Sequence, residues 1–341
     1  MLFKAVLSAA TLAATAFSAA VARSALPAPN RLQLLGVNGT MAFKEGQVDD
    51  AASGTHLTNY GGPVIKNVEV HPIFYGKANF ESNINEFYAA VTQSTWYDIL
   101  AQYSVGRGSA VAGISQTATL TALDDTNDIQ PLLINLVKSG TIKPTADTYY
   151  PIHFAPDISI TLGSDGSCDI FCAYHGTIDI SSLNVGTKYL YYGVIPDQGG
   201  NCAGGCGNDA NVMNNMFSVS SHELAEAATD AAVGVVQNIG YPLAWYDSNN
   251  GEIGDICNGE QGKTVGGDGK TYVIQTQWSN AANKCVAAGA GPKPSKTTGK
   301  PSKTTGKPSK TTGKPSKTTG KPTKSTGKST KTTSKHKTST A

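Results

Sequence analysis

The sequence predicts an α+β domain with a mixed sheet, a central helix and a C-terminal region fixed by disulfides. Three observations lead to this class. Three short helices and then a run of strands are predicted ahead of residue 200, one long segment at 208–232 has helical spacing, and all six cysteines lie between Cys168 and Cys285. About 250 residues remain between the two ends of the chain, enough for one large domain or two small ones.

Both ends of the chain differ in composition from its middle. Residues 1–22 have a basic start, an apolar run and an A-x-A ending, which is typical of a secretory signal peptide. Residues 23–55 are polar and weakly patterned, and we interpret them as a flexible lead or a pro-segment. Residues 56–288 are expected to form the globular domain. The tail, 289–341, repeats KPSKTTG with no apolar position, so we expect it to be disordered.

Charge is unevenly distributed along the chain. Residues 287–341 carry 14 lysines and no acid, whereas residues 23–286 carry 12 Lys and Arg against 25 Asp and Glu. The basic tail is expected to bind anionic surfaces, with an extracellular protein or a cell-wall polymer as partner. Nucleic acid is not an expected partner of an exported chain. No segment after the signal peptide approaches the length of a transmembrane helix, so the predicted location is extracellular, with association to the cell wall.

The first predicted elements are a strand and a helix. Val68 and Val70 alternate with polar neighbours in GGPVIKNVEVHPIFYG, which predicts a strand. The apolar side chains between Phe80 and Val91 recur at helical spacing. A strand followed by a helix therefore begins the ordered part.

Two further helices follow. Ser94 or Thr95 is a suitable N-cap for a helix whose apolar residues run from 96 to 103. Pro131 near the start and Gly140 just past the end delimit a third helix. These short helices are expected to cover a sheet.

The remaining strands are predicted from β-rich segments. TYYPIHFA at 148–155, ISITL at 158–162 and KYLYYGVI at 188–195 predict three strands. GKTYVIQTQWS at 269–279, entered through a glycine-rich turn, predicts a final strand. The long helix lies between the third of these strands and the last.

An even number of cysteines in an exported chain implies disulfides. Cysteine-bound zinc is the alternative. His175 lies beside two of the cysteines in CAYHG, and we interpret it as structural. Six cysteines allow fifteen connectivities, and the favoured one uses both C-x₃-C pairs locally: Cys168–Cys172, Cys202–Cys206 and Cys257–Cys285.

The segment SVSSHELAEAATDA resembles the zinc-protease signature H-E-x-x-H, with Glu226 at the position of the second histidine. On a helix, His222 and Glu226 lie one turn apart on the same face and can reach one ion. Glu223 occupies the position of the general base, which takes a proton from metal-bound water. The alternative is an ordinary amphipathic helix whose acids face water.

A metal site needs at least a third protein ligand. The acidic segment WYDSNNGEIGD offers Asp247, Glu252 and Asp255, and Cys257 follows directly. Asp230, near the helix end, is a further candidate. This set is rich in carboxylates, so the expected cofactor is a divalent metal, with zinc ahead of manganese or calcium.

Several motifs resemble the Exordium-like, or phosphate-induced, family of secreted proteins. GGPVIKNVEVHPIFYG, WYDIL, the cysteine pair before YHG, SHELAEAATD, WYD and GEIGDIC occur in that family's order between Gly61 and Cys285. The resemblance implies an extracellular, wall-associated protein with a zincin-like arrangement, in which His222, Glu223 and Glu226 lie near the acids of the downstream loop. The family's usual proline after TD is Ala231 here. The lysine- and threonine-rich tail is outside the resemblance and indicates a fungal-type member.

The sequence thus predicts a secreted, zincin-like metal-binding protein. His222, Glu226, Glu252 and Asp255 are the predicted ligands. Metallopeptidase activity, with Glu223 as general base, is the candidate chemistry. The alternative is a non-catalytic wall or signalling protein whose motif forms a structural metal site or an ion-pair network.

Overall fold

The structure is a computed structural model that describes residues 34–36, 54–234 and 243–289, the first range in its backbone only. The predicted signal peptide, most of the predicted lead and nearly all of the repeat tail lie outside the described residues. Among the described helices, none has both the length and the apolar character needed to cross a bilayer.

Three α-helices and seventeen strands form the described part of the chain. The helices are α1 (Glu81–Val91), α2 (Gln130–Lys138) and α3 (Val212–Thr229). Short 3-10 helices occur at Tyr97–Tyr103, Ser181–Leu183, Gly200–Cys202 and Asp255–Cys257, and a π-helical turn at Asp125–Ile129 precedes α2. The strands are β1 (Leu34–Gly36), β2 (Thr58–Asn59), β3 (Glu69–Val70), β4 (Ile73–Tyr75), β5 (Ser109–Ala110), β6 (Ile114–Gln116), β7 (Ala122–Asp124), β8 (Thr148–Phe154), β9 (Ser159–Leu162), β10 (Asp165–Gly166), β11 (Phe171–Asp179), β12 (Tyr189–Ile195), β13 (Trp245–Tyr246), β14 (Gln261–Val265), β15 (Thr271–Gln275), β16 (Gln277–Ser279) and β17 (Lys284–Val286).

The central sheet has eight strands in the order β1-β11-β12-β8-β3-β5, with β4 joining β8 to β6. The pairs from β12 through β8 to β6 and β5 are parallel, whereas β11 is antiparallel to both β12 and β1. Smaller sheets pair β10-β9-β7, β13-β2, β14-β15 and β16-β17. The predicted mixed sheet of an α+β protein is therefore confirmed. Its edge strand β1 lies inside the segment for which the sequence predicts a flexible lead.

Each face of the central sheet has its own core, because successive side chains of a strand point to opposite faces. Tyr149 of β8 packs with α1 and α3, whereas Tyr150 packs with Leu133 of α2 on the other face. Phe87 of α1 stacks on Phe217 of α3, with ring centroids 4.5 Å apart. Such a pair contributes about 0.5–1.5 kcal/mol beyond its buried area. The sheet and α1 together hold α3 in place.

The predicted elements occur with two changes of form. The segment after Ser94 is a 3-10 helix whose N-cap residue is Trp96, so the predicted cap, Ser94 or Thr95, is wrong by one or two residues; the Ser94 hydroxyl accepts the amide of Tyr97 over 3.2 Å. The predicted final strand divides at Thr276 into β15 and β16. At that point the chain changes partner from β14 to β17.

Strand β11 has no counterpart in the sequence prediction. Its segment, FCAYHGTID, is buried in every residue except the last. A strand that pairs on both edges and is covered on both faces lacks the alternation by which strands are recognised. It carries His175 into the interior, on the face of the sheet that α3 covers.

Two of the three predicted disulfide pairings are wrong. The loop after β12 returns along the start of β11, where the side-chain amide of Gln198 donates to the carbonyl of Cys172 over 3.1 Å. This contact brings both C-x₃-C pairs side by side, with Cα–Cα distances of 4.4 and 5.4 Å. Both are within the range that a disulfide spans. The predicted third pairing is confirmed, and the observed bridges are Cys168–Cys202, Cys172–Cys206 and Cys257–Cys285.

Candidate metal centre

Helix α3 is buried on all sides over most of its length. Asn211 caps its start by accepting the amide of Met213 over 3.0 Å, and every residue from Asn215 to Thr229 is buried. A helix buried all round lies inside a core rather than on its surface. The acids of the motif therefore face the interior, which excludes the alternative of a helix whose acids face water.

His222 is held by a hydrogen bond at Nδ1, whereas its other ring nitrogen, Nε2, lies beside the carboxylates of the centre. The side-chain nitrogen of Gln275 donates to the carbonyl of Gly254 over 2.8 Å, so its oxygen faces His222 Nδ1, 3.0 Å away. Nδ1 must then be the donor to that oxygen. In the neutral imidazole, Nε2 is left as an acceptor that points into the centre.

Glu226 divides its two oxygens between the backbone and the centre. Oε1 accepts the amides of Gly254 and Asp255, at 3.1 and 2.9 Å. Oε2 lies 3.0 Å from His222 Nε2 and 3.7 Å from His175 Nδ1. The closer of these approaches lacks the geometry of a hydrogen bond, and Oε2 accepts none within the described residues. Both atoms belong to a group of side chains that could hold one metal ion.

Two of the predicted loop acids, Asp255 and Glu252, lie at the same centre. Asp255 Oδ2 accepts the amide of Glu252 over 3.0 Å, and Oδ1 lies 3.8 Å from His222 Nε2. Glu252 is fully buried, and its Oε1 lies 3.7 Å from His175 Nε2. Gly254 permits this approach: a Cβ atom there would lie 2.7 Å from His222 Nδ1 and 2.8 Å from Glu226 Oε1.

Glu223 and His175 complete the buried cluster. Glu223 Oε2 lies 3.4 Å from His175 Nδ1, which is longer than a well-formed hydrogen bond. Neither oxygen of Glu223 and neither ring nitrogen of His175 has a hydrogen-bond partner in the described part of the chain. Both side chains are fully buried, so the interpretation of His175 as merely structural does not account for its position among carboxylates.

Of the two further candidate ligands, Asp230 lies beside the centre and Asp247 does not. Asp230 is fully buried at the end of α3; its Oδ1 accepts the amide of Ala244 over 2.6 Å, and its carboxyl group faces Glu252. Asp247 instead accepts backbone amides, including that of Asn249 at 3.0 Å. It stabilises its own turn, and we assign it no place in the centre.

Burial and crowding shift the ionisation of the cluster. Burial, and then repulsion from Glu226, raises the pKa values of Glu252 and Asp255 well above their usual range. Burial raises the pKa of Asp230 to about 7. Burial opposes protonation of His222, but Glu226 outweighs it and raises the pKa of that imidazole to about 10. Without a cation, the cluster must therefore hold several protons to limit its negative charge.

Two sets of donors could hold a metal ion, and they share one residue. His222, Glu226 and Asp255 form one set, and His175, Glu223 and Glu226 form the other; within each set the donor atoms lie within 4.8 Å of one another. Two donors bound at about 2.0–2.2 Å to one ion, at angles of roughly 90–120°, lie about 2.8–3.8 Å apart. The separations of 3.0–3.8 Å between each imidazole nitrogen and its two carboxylate oxygens fit this requirement.

Sequence reasoning missed three residues of this centre. His175 was missed because its strand was not predicted, although its place beside a cysteine pair was a signal. Gln275 and Gly254 act on the ligands rather than as ligands, so no ligand-spacing rule identifies them.

Comparison with known proteins finds no matching family model, no similar curated protein and no similar solved structure. The resemblance to the Exordium-like family therefore remains a prediction. No fold match supports the zincin-like assignment, and the centre is interpreted from its own chemistry.

Proposed function

We propose that this chain is a secreted, zincin-like metal-binding protein that holds a divalent cation, zinc in first place, in its interior. One observation carries the proposal. Every Lys and Arg among the described residues is exposed, so no basic side chain other than histidine accompanies the buried carboxyl groups of the centre: Glu223, Glu226, Asp230, Glu252 and Asp255.

Five buried carboxyl groups without cationic partners are costly. Removing a single carboxylate from water costs several kcal/mol even after relaxation, unless a partner offsets it. Two imidazoles cannot compensate five carboxylates even when both are protonated. A bound cation would provide the missing positive charge. Buried charged groups in proteins are usually paired with an opposite charge or coordinate a metal.

The donor set fits zinc and tolerates manganese. His222 Nε2, Glu226 Oε2 and Asp255 Oδ1 provide one nitrogen and two oxygens, and Gln275 orients the imidazole. Zinc accepts this combination, whereas sites made only of oxygen favour calcium or magnesium. When bound, such an ion acts as a Lewis acid and as a structural crosslink between α3 and the 252–255 loop.

Elemental analysis of the purified, secreted full-length chain tests this proposal. We expect at least one equivalent of zinc or manganese per chain, and loss of metal in Glu226→Gln. The matched control is Asp125→Asn, since Asp125 is equally buried but accepts hydrogen bonds from Tyr174 and Tyr192 outside the centre. A folded wild-type chain that stays metal-free after incubation with either ion would contradict the proposal.

Hydrolysis is a second candidate function, because Glu223 occupies the position of a general base and its oxygens accept no hydrogen bond from the described residues. Burial weighs against it, since a catalytic ion needs an open coordination position that substrate can reach, and His222, Glu223 and Glu226 are fully buried. Glu223→Gln decides the base role: it should abolish any peptidase activity while the protein keeps metal at the His222 set. Activity that persists in this variant rejects the role.

Extracellular location and wall association form the remaining part of the proposal. Three disulfides are compatible with an oxidising compartment, and the 14 lysines of the tail suit an anionic polymer. Deleting residues 289–341 should release the protein from cell walls, and high salt should have the same effect on the intact chain. Equal retention of both chains in low salt would reject the tail as an anchor.

A further inference from the structure

The two donor sets of the centre share Glu226 and otherwise use different residues. Each set contains one imidazole. The two imidazoles approach Glu226 from different elements of the fold, His222 from α3 and His175 from β11. Each imidazole also has its own carboxylate, Asp255 beside His222 and Glu223 beside His175. The two sets therefore outline two candidate positions that meet at Glu226.

A single oxygen joins the two positions. Glu226 Oε1 is occupied by two backbone amides, which leaves Oε2 as the oxygen available to both imidazoles, at 3.0 and 3.7 Å. A carboxylate oxygen has two lone pairs and can bind two ions at once. Paired metal sites in proteins hold their ions about 3.5–4 Å apart, a distance that one bridging oxygen can span.

The charge of the cluster leaves room for two ions. The five buried carboxyl groups carry five negative charges when all are ionised, and neutral imidazoles add none. One divalent ion compensates two of these charges and two ions compensate four, and any carboxyl group left over must be protonated or paired. Charge thus permits a second ion, and the choice of two positions rests on the geometry of the two donor sets.

His175 has the surroundings of a metal-binding histidine. Nδ1 faces Glu223 and Glu226, and Nε2 on the opposite side of the ring faces Glu252 Oε1 at 3.7 Å. A carboxylate behind the ring is the usual group that fixes the orientation of such a ligand. Both ring nitrogens are fully buried and lack hydrogen bonds within the described residues.

We infer that the centre binds two divalent cations bridged by Glu226 Oε2, the first held with His222 and Asp255 and the second with His175 and Glu223. This inference rests on the proposed function, to which it adds a second ion. In this arrangement Glu223 is a ligand of the second ion. It therefore cannot also serve as an unbound general base.

Metal stoichiometry tests the inference on the full-length secreted chain. The metal-free protein is titrated with Zn²⁺, and bound zinc is counted after gel filtration, for the wild type and for three variants that replace histidine by leucine, which has no ligand atom. These are His175→Leu, His222→Leu and, as the matched control, His153→Leu. His153 is equally buried in β8 but contacts Tyr88 instead of the centre.

We expect two equivalents in the wild type and in His153→Leu, and one equivalent in each of the other two variants. One equivalent in both the wild type and His175→Leu would overturn the second position and leave the proposed function standing. No bound zinc in the folded wild type would overturn both the second position and the proposed function. Loss of all zinc from folded His175→Leu would show that both imidazoles serve one ion, which also overturns the inference.

A measurement on the unmodified protein covers the case in which a variant does not fold. The wild type loaded with two equivalents of Mn²⁺ should give the electron paramagnetic resonance spectrum of a spin-coupled pair, since the ions would share one oxygen. The six-line spectrum of isolated Mn²⁺ at that loading would contradict the bridge.

Discussion

The Gly254→Ala variant tests whether stability and metal binding depend on the close packing of the centre, because it changes that packing and leaves every acidic residue in place. Gly254 has φ −83° and ψ −37°, a conformation that alanine adopts readily. Reducing the freedom of the unfolded chain alone would therefore stabilise the variant by about 0.4–1 kcal/mol. The added Cβ, however, would lie 2.7 Å from His222 Nδ1 and 2.8 Å from Glu226 Oε1, which is 0.6–0.7 Å inside the ordinary contact distance of 3.4 Å.

The contact outweighs the entropy gain. Overpacking a well-packed interior costs about 1–3 kcal/mol, so after the entropy gain of about 0.4–1 kcal/mol the metal-free protein should lose about 1.3 kcal/mol at the middle of these ranges. Displacing two ligands by more than half an ångström should also weaken metal binding, by about 10–100-fold, as changes to groups that orient ligands do.

Urea denaturation of the metal-free protein and competition with a chromophoric chelator measure these two effects separately. Gly166→Ala is the matched control, because the nearest atom to its added Cβ is 4.0 Å away and its backbone lies outside the left-handed region. Wild-type stability together with wild-type metal affinity in Gly254→Ala would refute the close approach of the loop to α3.

Three further predictions follow from separate contacts. Gln275→Leu removes the acceptor for His222 Nδ1 and should weaken zinc binding by about 10–100-fold in chelator competition; unchanged affinity would show that the ring needs no partner. Burial lowers the pKa of His153 to about 3, so below its unfolded value of about 6.5 the unfolded chain binds a proton that the native state does not. Stability should then fall by about 1.4 kcal/mol per pH unit between pH 6.5 and 3, and His153→Leu should lose about 2 kcal/mol less than wild type between pH 7 and 5 in urea denaturation; parallel pH profiles would contradict the shift. Mass spectrometry of non-reduced peptides should find bridges with a sequence separation of 34 rather than 4, and removing one bridge as a pair of serines should cost about 2–4 kcal/mol; local C-x₃-C loops in the digest would refute the observed connectivity.

Local pattern was sufficient for elements with regular apolar spacing or a composition typical of strands. Helix α1 has a buried stripe, and β8 and β12 are apolar segments rich in tyrosine, so their positions follow from spacing and composition. The motif on α3 also fixed the relation of His222 to Glu226, because one helical turn separates them in any helix. These predictions needed no knowledge of the fold.

Long-range packing decided what the sequence pattern did not. The approach of the loop after β12 to the start of β11 determines which cysteines meet, and the spacing within each C-x₃-C pair does not contain that information. The place of His175 depends on β11 pairing with β12 beneath α3. Asp247 was a plausible ligand by type and distance along the chain, but its own turn engages its carboxylate.

Anomalous diffraction from crystals grown with zinc tests the central claim most directly, since it locates ions without reference to activity. The account predicts anomalous peaks about 2 Å from Glu226 Oε2, one on the His222 side and one on the His175 side. Crystals that contain ordered Glu226, His222 and His175 but no peak near them, with the acids closed by direct hydrogen bonds, would contradict it.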